Sequence, residues 1–280
     1  MTAGDYVKLL RPEQFYKNLV IFLAAYFSGN LLMLSNAAGF ILLCALSSAN
    51  YIINDVVDRK KDKINLEKAD RPLASGKISV IQAIILALLL LAISLGGAYA
   101  INYHFFLIAA SSFLLGSLYS LVLRKELFLD IIAISFNYVL RAIAGAVLIG
   151  VWISPWLVVG AFFLALFLAT GKRRSEKTYL EANANKHRPL LELYSGDMLN
   201  FLLQMSATML LASYALYSFL GNKPQLVFTL PIVLYAILRY VHLLESTAPE
   251  TRALNKAFTD ARFMAAGAFY LATSLYILYR

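Results

Sequence analysis

Three aspartates follow the second long apolar run of the chain at helical spacing. Asp55, Asp58 and Asp62 lie three and four residues apart in "NDVVDRKKD", so on a continued helix they project from one side. Asn50 and Asn54 extend the same polar stripe back into the apolar run. Carboxylate and amide oxygens suit Mg²⁺, which commonly takes one or two carboxylates together with substrate phosphate oxygens. The spacing predicts a magnesium–diphosphate site; the alternative is a solvated loop of mixed charge.

Polar residues near this stripe could bind the phosphates of such a substrate. Arg71 ends the loop that follows and Lys77 begins the next apolar run, where cations could meet phosphate oxygens. Lys17 and Asn18 lie in "FYKN" at the mouth of the first apolar run, although a lysine there could simply snorkel to a membrane boundary. Tyr51, beside Asn50, is a further binding candidate.

A second group of binding candidates lies further along the chain. Arg141 sits in the middle of an apolar run, where a charged group is costly unless it faces a polar cavity or a partner. Asn137 shares a helical face with it, and Tyr138 is adjacent. The segment that follows the sixth run adds the candidates Lys172, Arg173, Arg174 and Tyr194. For the three cations the alternative is anchoring of the loop on the cytoplasmic side.

The elements that must position these residues are membrane helices. Of the 280 residues, 60% are hydrophobic and 15% charged, and the mean hydropathy is +0.69. Apolar runs that could cross about 30 Å of hydrocarbon cover residues 15–31, 36–54, 78–101, 103–122, 128–149, 152–171, 197–219, 225–245 and 261–279. The predicted fold class is an all-α integral membrane protein with nine transmembrane helices, in a single polytopic domain over residues 1–280.

The distribution of charge predicts the orientation of these helices. All but three of the 25 Lys and Arg fall at one face, and the exceptions are Arg141, Lys223 and Arg280. Positive residues in short loops stay in the cytoplasm, so the N-terminus and the candidate site are expected there and the C-terminus outside, in a cell inner or plasma membrane. The net charge of +9 follows from this rule and from anionic lipid, and gives no reason to expect nucleic acid.

The motif resembles that of the UbiA-type intramembrane prenyltransferase superfamily. Members have nine transmembrane helices and a first motif N-D-x-x-D-x-x-x-D after the second helix, which here reads "NDVVDRKKD". The resemblance implies a UbiA-like helical bundle with a cytoplasm-facing polar cavity. It also implies that Asn54, Asp55, Asp58 and Asp62 hold Mg²⁺ and the diphosphate of a donor, with the three aspartates as catalytic groups.

The chain departs from the wider family after its sixth apolar run, where other members carry D-x-x-x-D. Here "GKRRSEKTYLEANANKHRPLLELYS" has no aspartate. This segment, with "RPEQFYKN", "RPLASGKIS", "YVLRAIAGA" and "LELYS", resembles the branch of polyprenyl-phosphate phosphoribosyltransferases known as decaprenyl-phosphate phosphoribosyltransferases. The resemblance implies transfer of 5-phosphoribose from phosphoribosyl diphosphate to a polyprenyl phosphate in the bilayer, for cell-envelope glycan precursors.

Two other functions stay open at this point. A prenyltransferase of the same fold would move an isoprenoid from its diphosphate to an aromatic or other small acceptor, but would ordinarily need the second aspartate motif. A secondary transporter would be expected to carry helix-breaking Gly or Pro pairs in matching spans, and the chain has seven prolines, mostly near span ends or in loops. The sequence leaves open whether the protein forms a homo-oligomer.

Overall fold

The computed structural model describes residues 2–31, 33–64, 68–182, 189–221, 223–246 and 257–280. Within these ranges all regular structure is helical, which confirms the all-α class. The α-helices in chain order are α1 (Ala3–Leu10), α2 (Leu23–Phe27), α3 (Leu34–Ile64), α4 (Val80–Ile101), α5 (Tyr103–Leu121), α6 (Leu129–Ile149), α7 (Pro155–Ala182), α8 (Pro189–Leu193), α9 (Gly196–Leu220), α10 (Leu230–Ser246) and α11 (Ala261–Tyr279).

Eight of the described helical segments are long and apolar enough to cross a membrane. The predicted first span, 15–31, is not a single α-helix, which corrects the expectation of nine long helices. It forms an 11-residue 3-10 helix, Pro12–Phe22, followed by the five residues of α2. A 3-10 helix rises about 2.0 Å per residue and an α-helix about 1.5 Å, so together they extend roughly 30 Å. This composite is therefore long enough to match the hydrocarbon thickness.

Capping side chains set the boundaries of several helices. Asn102 interrupts the longest apolar stretch in an extended conformation, and its side chain accepts hydrogen bonds from the His104 and Phe105 backbone amides. The helices α4 and α5 consequently separate at the predicted point. Ser79 caps α4 in a reciprocal capping box with Gln82.

The chain forms two compact units. Unit 1 comprises Met1–Val122 and Leu140–Trp152, and unit 2 comprises Leu123–Val139 and Ile153–Arg280. The core of unit 1 includes buried Ile21, Leu43, Leu46, Phe105 and Ala144, and that of unit 2 includes buried Phe167, Leu203, Ile237, Tyr240 and Leu243. That all 280 residues act as one functional domain stays a prediction.

A glycine in unit 1 allows an unusually close approach of backbone. A Cβ atom on Gly145 of α6 would lie 1.8 Å from the carbonyl oxygen of Ile21, in the 3-10 helix. No side chain fits in that space, so the contact requires glycine. The 3-10 helix Pro12–Phe22 is thereby held against the second half of α6.

Candidate active site

The aspartate motif lies on a helix that continues well past the predicted end of its membrane span. The helix α3 is 31 residues long and ends at Ile64, so the expected helical continuation is confirmed. Its length, about 46 Å at 1.5 Å per residue, exceeds the hydrocarbon thickness. Asp55 and Asp62 are each only 3% exposed, whereas Asp58 is half-buried. The three carboxylates therefore share a helix side but differ in their access to solvent.

Two arginines bind the buried carboxylates. Arg71 Nη1 donates to Asp62 Oδ2 at 2.6 Å and to Asp55 Oδ1 at 3.1 Å. Arg11 Nη2 donates to the same Asp55 oxygen at 2.5 Å. Lys68 Nζ lies 3.7 Å from Asp62 Oδ1. The buried part of the motif is thus an ion-pair network, in which one carboxylate oxygen serves two guanidinium groups.

Arg11 was not among the predicted site residues. It adopts a left-handed backbone conformation, with φ 54°, between α1 and the 3-10 helix. Its guanidinium lies 5.4 Å from the centre of the Tyr51 ring. The sequence held a usable signal, because Arg11 and Arg71 both precede a proline. A proline disfavours the right-handed helical conformation of the residue before it, and Arg11 indeed lies at the end of α1.

The donor set of the motif fits magnesium when substrate oxygens complete the coordination. Asn54 and Asp58 are one helical turn apart and offer hard oxygen ligands. Asp55 and Asp62 are engaged by arginines, and the described part of the chain contains no cluster of three or more His, Cys, Asp or Glu that could by itself hold a metal ion. These observations match the preference of Mg²⁺ for one or two carboxylates plus phosphate, rather than for an all-protein cage.

Two predicted binding asparagines serve as contacts between elements of unit 1. Asn18 is 1% exposed, and its amide nitrogen lies 3.3 Å from both Cys44 Sγ and Ser47 Oγ on α3. Asn50 Nδ2 donates to the backbone oxygen of Phe113 on α5 at 3.3 Å, and its oxygen accepts from Ser117 Oγ at 3.1 Å. The amides of Asn18 and Asn50 thus have protein partners, as expected for polar groups of helices in an apolar solvent.

The remaining predicted residues of unit 1 fall in different surroundings. Arg141 is half-buried and interacts electrostatically with Tyr51, and the binding role of both residues stays a prediction. Lys17 lies 6.0 Å from the ring centre of its neighbour Tyr16. Lys77 is exposed and is electrostatically coupled to Asp5. Among the described residues Lys77 forms no ion pair with the aspartate motif, so its binding role stays a prediction.

Unit 2 has its own buried ion pair, at the start of α6. Arg173 is 2% exposed, and its Nε donates to Asp130 Oδ2 at 2.6 Å. Tyr194 donates its hydroxyl to the other Asp130 oxygen at 2.6 Å. Burial and this carboxylate raise the pKa of Tyr194, so the phenol stays protonated. Asp130 was missed, although it is an acid inside a predicted span, which is the signal that could have found it.

The other candidates of the second group differ in accessibility. Lys172 is exposed and lies 3.8 Å from Glu176 Oε1, while Arg174 lies 3.4 Å from Glu245 Oε1. Asn137 and Tyr138 are half-buried on α6, where Asn137 and Arg141 lie one turn apart on the same helix. Of the three adjacent cations, Lys172 has the most solvent access.

A protein-family model for the UbiA prenyltransferase family matches residues 19–267. The chain belongs to this family. The resemblance inferred from the aspartate motif is thereby confirmed, together with the expectation of a membrane transferase. The family assignment also removes the reason to consider a secondary transporter.

Similar proteins of this UbiA family include two named decaprenyl-phosphate phosphoribosyltransferase. The protein from Corynebacterium glutamicum is 31% identical over 78% of this chain and 68% of its own length. The one from Mycolicibacterium smegmatis is 32% identical over 80% of this chain and 73% of its own length. A UbiA homologue from Archaeoglobus fulgidus, solved with GPP and Mg²⁺, superposes with a TM-score of 0.76 over 99% of this chain and 100% of that chain at 22% identity. The shared fold is therefore that of UbiA proteins.

Proposed function

We propose that this UbiA-family protein transfers 5-phosphoribose from phosphoribosyl diphosphate to a polyprenyl phosphate and releases diphosphate. The observation that carries the proposal is the chemistry of α7, where the wider family has paired aspartates. Here Arg173 is bonded to Asp130 and Glu176, and Lys172 lies beside the same glutamate. A cationic segment suits phosphate groups, and the similarity to two decaprenyl-phosphate phosphoribosyltransferases supports that reading.

The aspartate motif of α3 is proposed to bind the donor diphosphate. Asn54 and Asp58 would hold Mg²⁺ there, with Asp55 and Asp62 as further direct or water-mediated ligands. Mg²⁺ bound at these residues supplies positive charge that stabilises the diphosphate as it leaves. Arg71, whose guanidinium is positioned by Asp55 and Asp62, is proposed to bind phosphate oxygens. Each of the other predicted cations is proposed to bind a phosphate of the donor or of the lipid; they are Lys17, Lys77, Arg141, Lys172 and Arg174.

The reaction joins two anions, so it depends on cations more than on a strong base. An oxygen of the polyprenyl phosphate is already a nucleophile and needs no deprotonation. It attacks the anomeric carbon of the donor, the new carbon–oxygen bond forms, and the bond to diphosphate breaks with inversion, by analogy with other glycosyl transfers. The positive side chains would offset the repulsion between the two substrates.

The membrane orientation is proposed from the charge distribution. If the composite segment of the 3-10 helix and α2 is counted with the eight long helices of the described residues, nine crossings result. The N-terminus and the candidate site would then lie in the cytoplasm and the C-terminus outside. The lipid product would then form at the cytoplasmic face, where a precursor of cell-envelope glycans is assembled. Cysteine accessibility labelling of the two termini in intact cells would check this orientation.

The deciding experiment uses purified protein with Mg²⁺, labelled phosphoribosyl diphosphate and a polyprenyl phosphate, followed by lipid extraction. We expect label in the lipid fraction and loss of that label in Asp58→Ala, which should remain folded and membrane-inserted. The matched control is Asp197→Ala, an acid in the first turn of α9 outside the motif. An unlabelled lipid fraction, with turnover of a prenyl diphosphate and an aromatic acid instead, would mean that the protein is an ordinary prenyltransferase. Full activity of Asp58→Ala would refute the metal assignment.

A further inference from the structure

A series of polar contacts in unit 2 leads from a buried tyrosine to an exposed lysine. Tyr194 donates to Asp130 Oδ1 at 2.6 Å, and Asp130 Oδ2 accepts from Arg173 Nε at 2.6 Å. Arg173 Nη1 donates to Glu176 Oε2 at 2.9 Å, and the other oxygen of Glu176 lies 3.8 Å from Lys172 Nζ. The Asp130 side chain is 0% exposed, whereas that of Lys172 is 55% exposed.

We propose that Asp130 is a positioning residue for Lys172, and that it acts through Arg173 and Glu176. Lys172 is then the group in this series that binds a phosphate oxygen, from the donor or from the lipid. The inference deepens the proposed function and rests on it for the identity of the phosphate compound. It assigns different roles to Lys172 and Arg173, two neighbouring cations that the sequence alone does not distinguish.

The burial of Arg173 is the reason for separating it from Lys172. Its guanidinium is 3% exposed and bonds two carboxylates, so binding a phosphate would require it to leave Asp130. That would strand a carboxylate inside the protein without its counter-charge, which is strongly unfavourable. The Lys172 ammonium carries three N–H donors and its side chain is 55% exposed, so it can donate to a phosphate oxygen while Glu176 stays beside it.

The buried end of the series is fixed in place by backbone as well as side chains. The Tyr194 hydroxyl accepts a hydrogen bond from the Phe128 amide at 3.1 Å, and the two rings pack edge to face at 5.7 Å. Phe128 has φ 65°, which is uncommon for a residue that is not glycine. Such a conformation persists when the surrounding contacts determine it, so the Asp130 carboxylate has a defined position.

The neighbouring Arg174 provides a matched comparison. It lies on the same turn of α7 but pairs with Glu245, 3.4 Å away on α10, and none of the contacts in the series passes through it. A variant at Asp130 or Tyr194 should therefore alter phosphate binding by Lys172 and leave any contribution of Arg174 intact.

The test is a double-variant cycle on binding of inorganic phosphate without Mg²⁺, measured by titration calorimetry on the full chain in detergent. Lys172→Ala should weaken binding about tenfold, the effect of losing one charge-assisted contact. Tyr194→Phe, which removes only the hydroxyl, should weaken it by a factor of about three to five. The double variant Tyr194→Phe/Lys172→Ala should bind the anion no more weakly than Lys172→Ala alone. Asp130→Asn should weaken binding by the same factor as Tyr194→Phe. If Asp130→Asn does not fold, Tyr194→Phe alone tests the contact to Asp130.

Two controls separate positioning from general destabilisation. In the double variant Tyr194→Phe/Arg174→Ala, the factors by which the two single changes weaken binding should multiply. Asp260→Asn, which breaks another ion pair of unit 2, should lower the unfolding temperature without weakening phosphate binding. Multiplying effects of Tyr194→Phe and Lys172→Ala, or equal weakening by Asp260→Asn, would refute the inference. Because the probe is inorganic phosphate and no donor is present, this result is independent of which donor the lipid-labelling assay identifies.

Discussion

The sharing of one Asp55 oxygen by two guanidinium groups predicts a specific non-additivity. Arg11→Ala leaves Asp55 its bond to Arg71, and Arg71→Ala leaves it the bond to Arg11. Only the double variant removes both, and the carboxylate that it leaves is 3% exposed. The free energy of unfolding should therefore fall by more in the double variant than the two single losses add up to.

The expected size follows from burial. The Arg11 and Arg71 side chains are 18% and 28% exposed, so water partly replaces each one, and either single variant should cost about 1.5 kcal/mol, the low end for a bond to a charged group. A buried carboxylate left without a partner typically costs about 3–5 kcal/mol. The double variant should thus lose about 4–5 kcal/mol, with a coupling of about 1–2 kcal/mol. Arg71→Ala should be the more harmful single change, because Asp62 then keeps only Lys68, at 3.7 Å.

The assay is SDS titration in mixed micelles without Mg²⁺, with helix content followed by circular dichroism. Asp55→Asn in the double-variant background provides the control, since a neutral amide needs no counter-charge and should recover most of the coupling. If the double variant equals the sum of the singles within about 0.5 kcal/mol, the shared-oxygen explanation is wrong. A failure of Asp55→Asn to recover stability would instead show that the arginines act through other partners.

Three further changes test other parts of the structure. Gly145→Ala should destabilise the protein by about 1–3 kcal/mol or prevent folding, because its Cβ would meet the Ile21 carbonyl oxygen at 1.8 Å; wild-type thermal stability in detergent would contradict the close approach. Asn50→Ala should cost about 0.6–1.7 kcal/mol by the same measurement and raise the KM for the donor by less than twofold, and a larger KM effect would restore its predicted role in substrate binding. The Arg239 guanidinium, with a backbone amide, lowers the pKa of Asp260 to about 2, so the stability from this pair is present above about pH 4 and is lost as the pH falls towards 2. Asp260→Asn should lack that acid-dependent loss in thermal unfolding at a series of pH values, and an unchanged pH profile would contradict it.

The sequence predicted those features that depend on local pattern. Periodic spacing and helix length were enough to place Asp55, Asp58 and Asp62 on one side of a continued helix, as observed. The division at Asn102 was predicted because apolar runs of spanning length lay on each side, and the structure adds the capping bonds that cause it. By contrast, the 3-10 conformation of Pro12–Phe22 has no apolar signature of its own, so the first span was taken for an α-helix.

Features that depend on distant partners were harder to predict. Arg11 and Asp55 are separated by 44 residues, and Asp130 and Arg173 by 43, so no short motif contains either pair. Asn50 was expected to line a cavity because amides inside membrane helices are costly. That reasoning identifies a polar group that needs a partner, but cannot say whether the partner is a substrate or a neighbouring helix. Asn50 bonds to Phe113 and Ser117 of the neighbouring helix α5, and its role in substrate binding stays a prediction.

The charges around the aspartate motif bear on how an anionic donor could approach it. Three uncompensated carboxylates would repel a diphosphate even with one divalent cation between them. In this structure Arg11 and Arg71 bind Asp55 and Asp62, and Lys68 lies near Asp62, so three positive side chains accompany the three negative ones of the motif. These ion pairs therefore offset the negative charge of Asp55 and Asp62 before metal and donor arrive. An incoming magnesium–diphosphate complex would meet little net repulsion, and the guanidinium groups, already held by carboxylates, would need little reorganisation to face it.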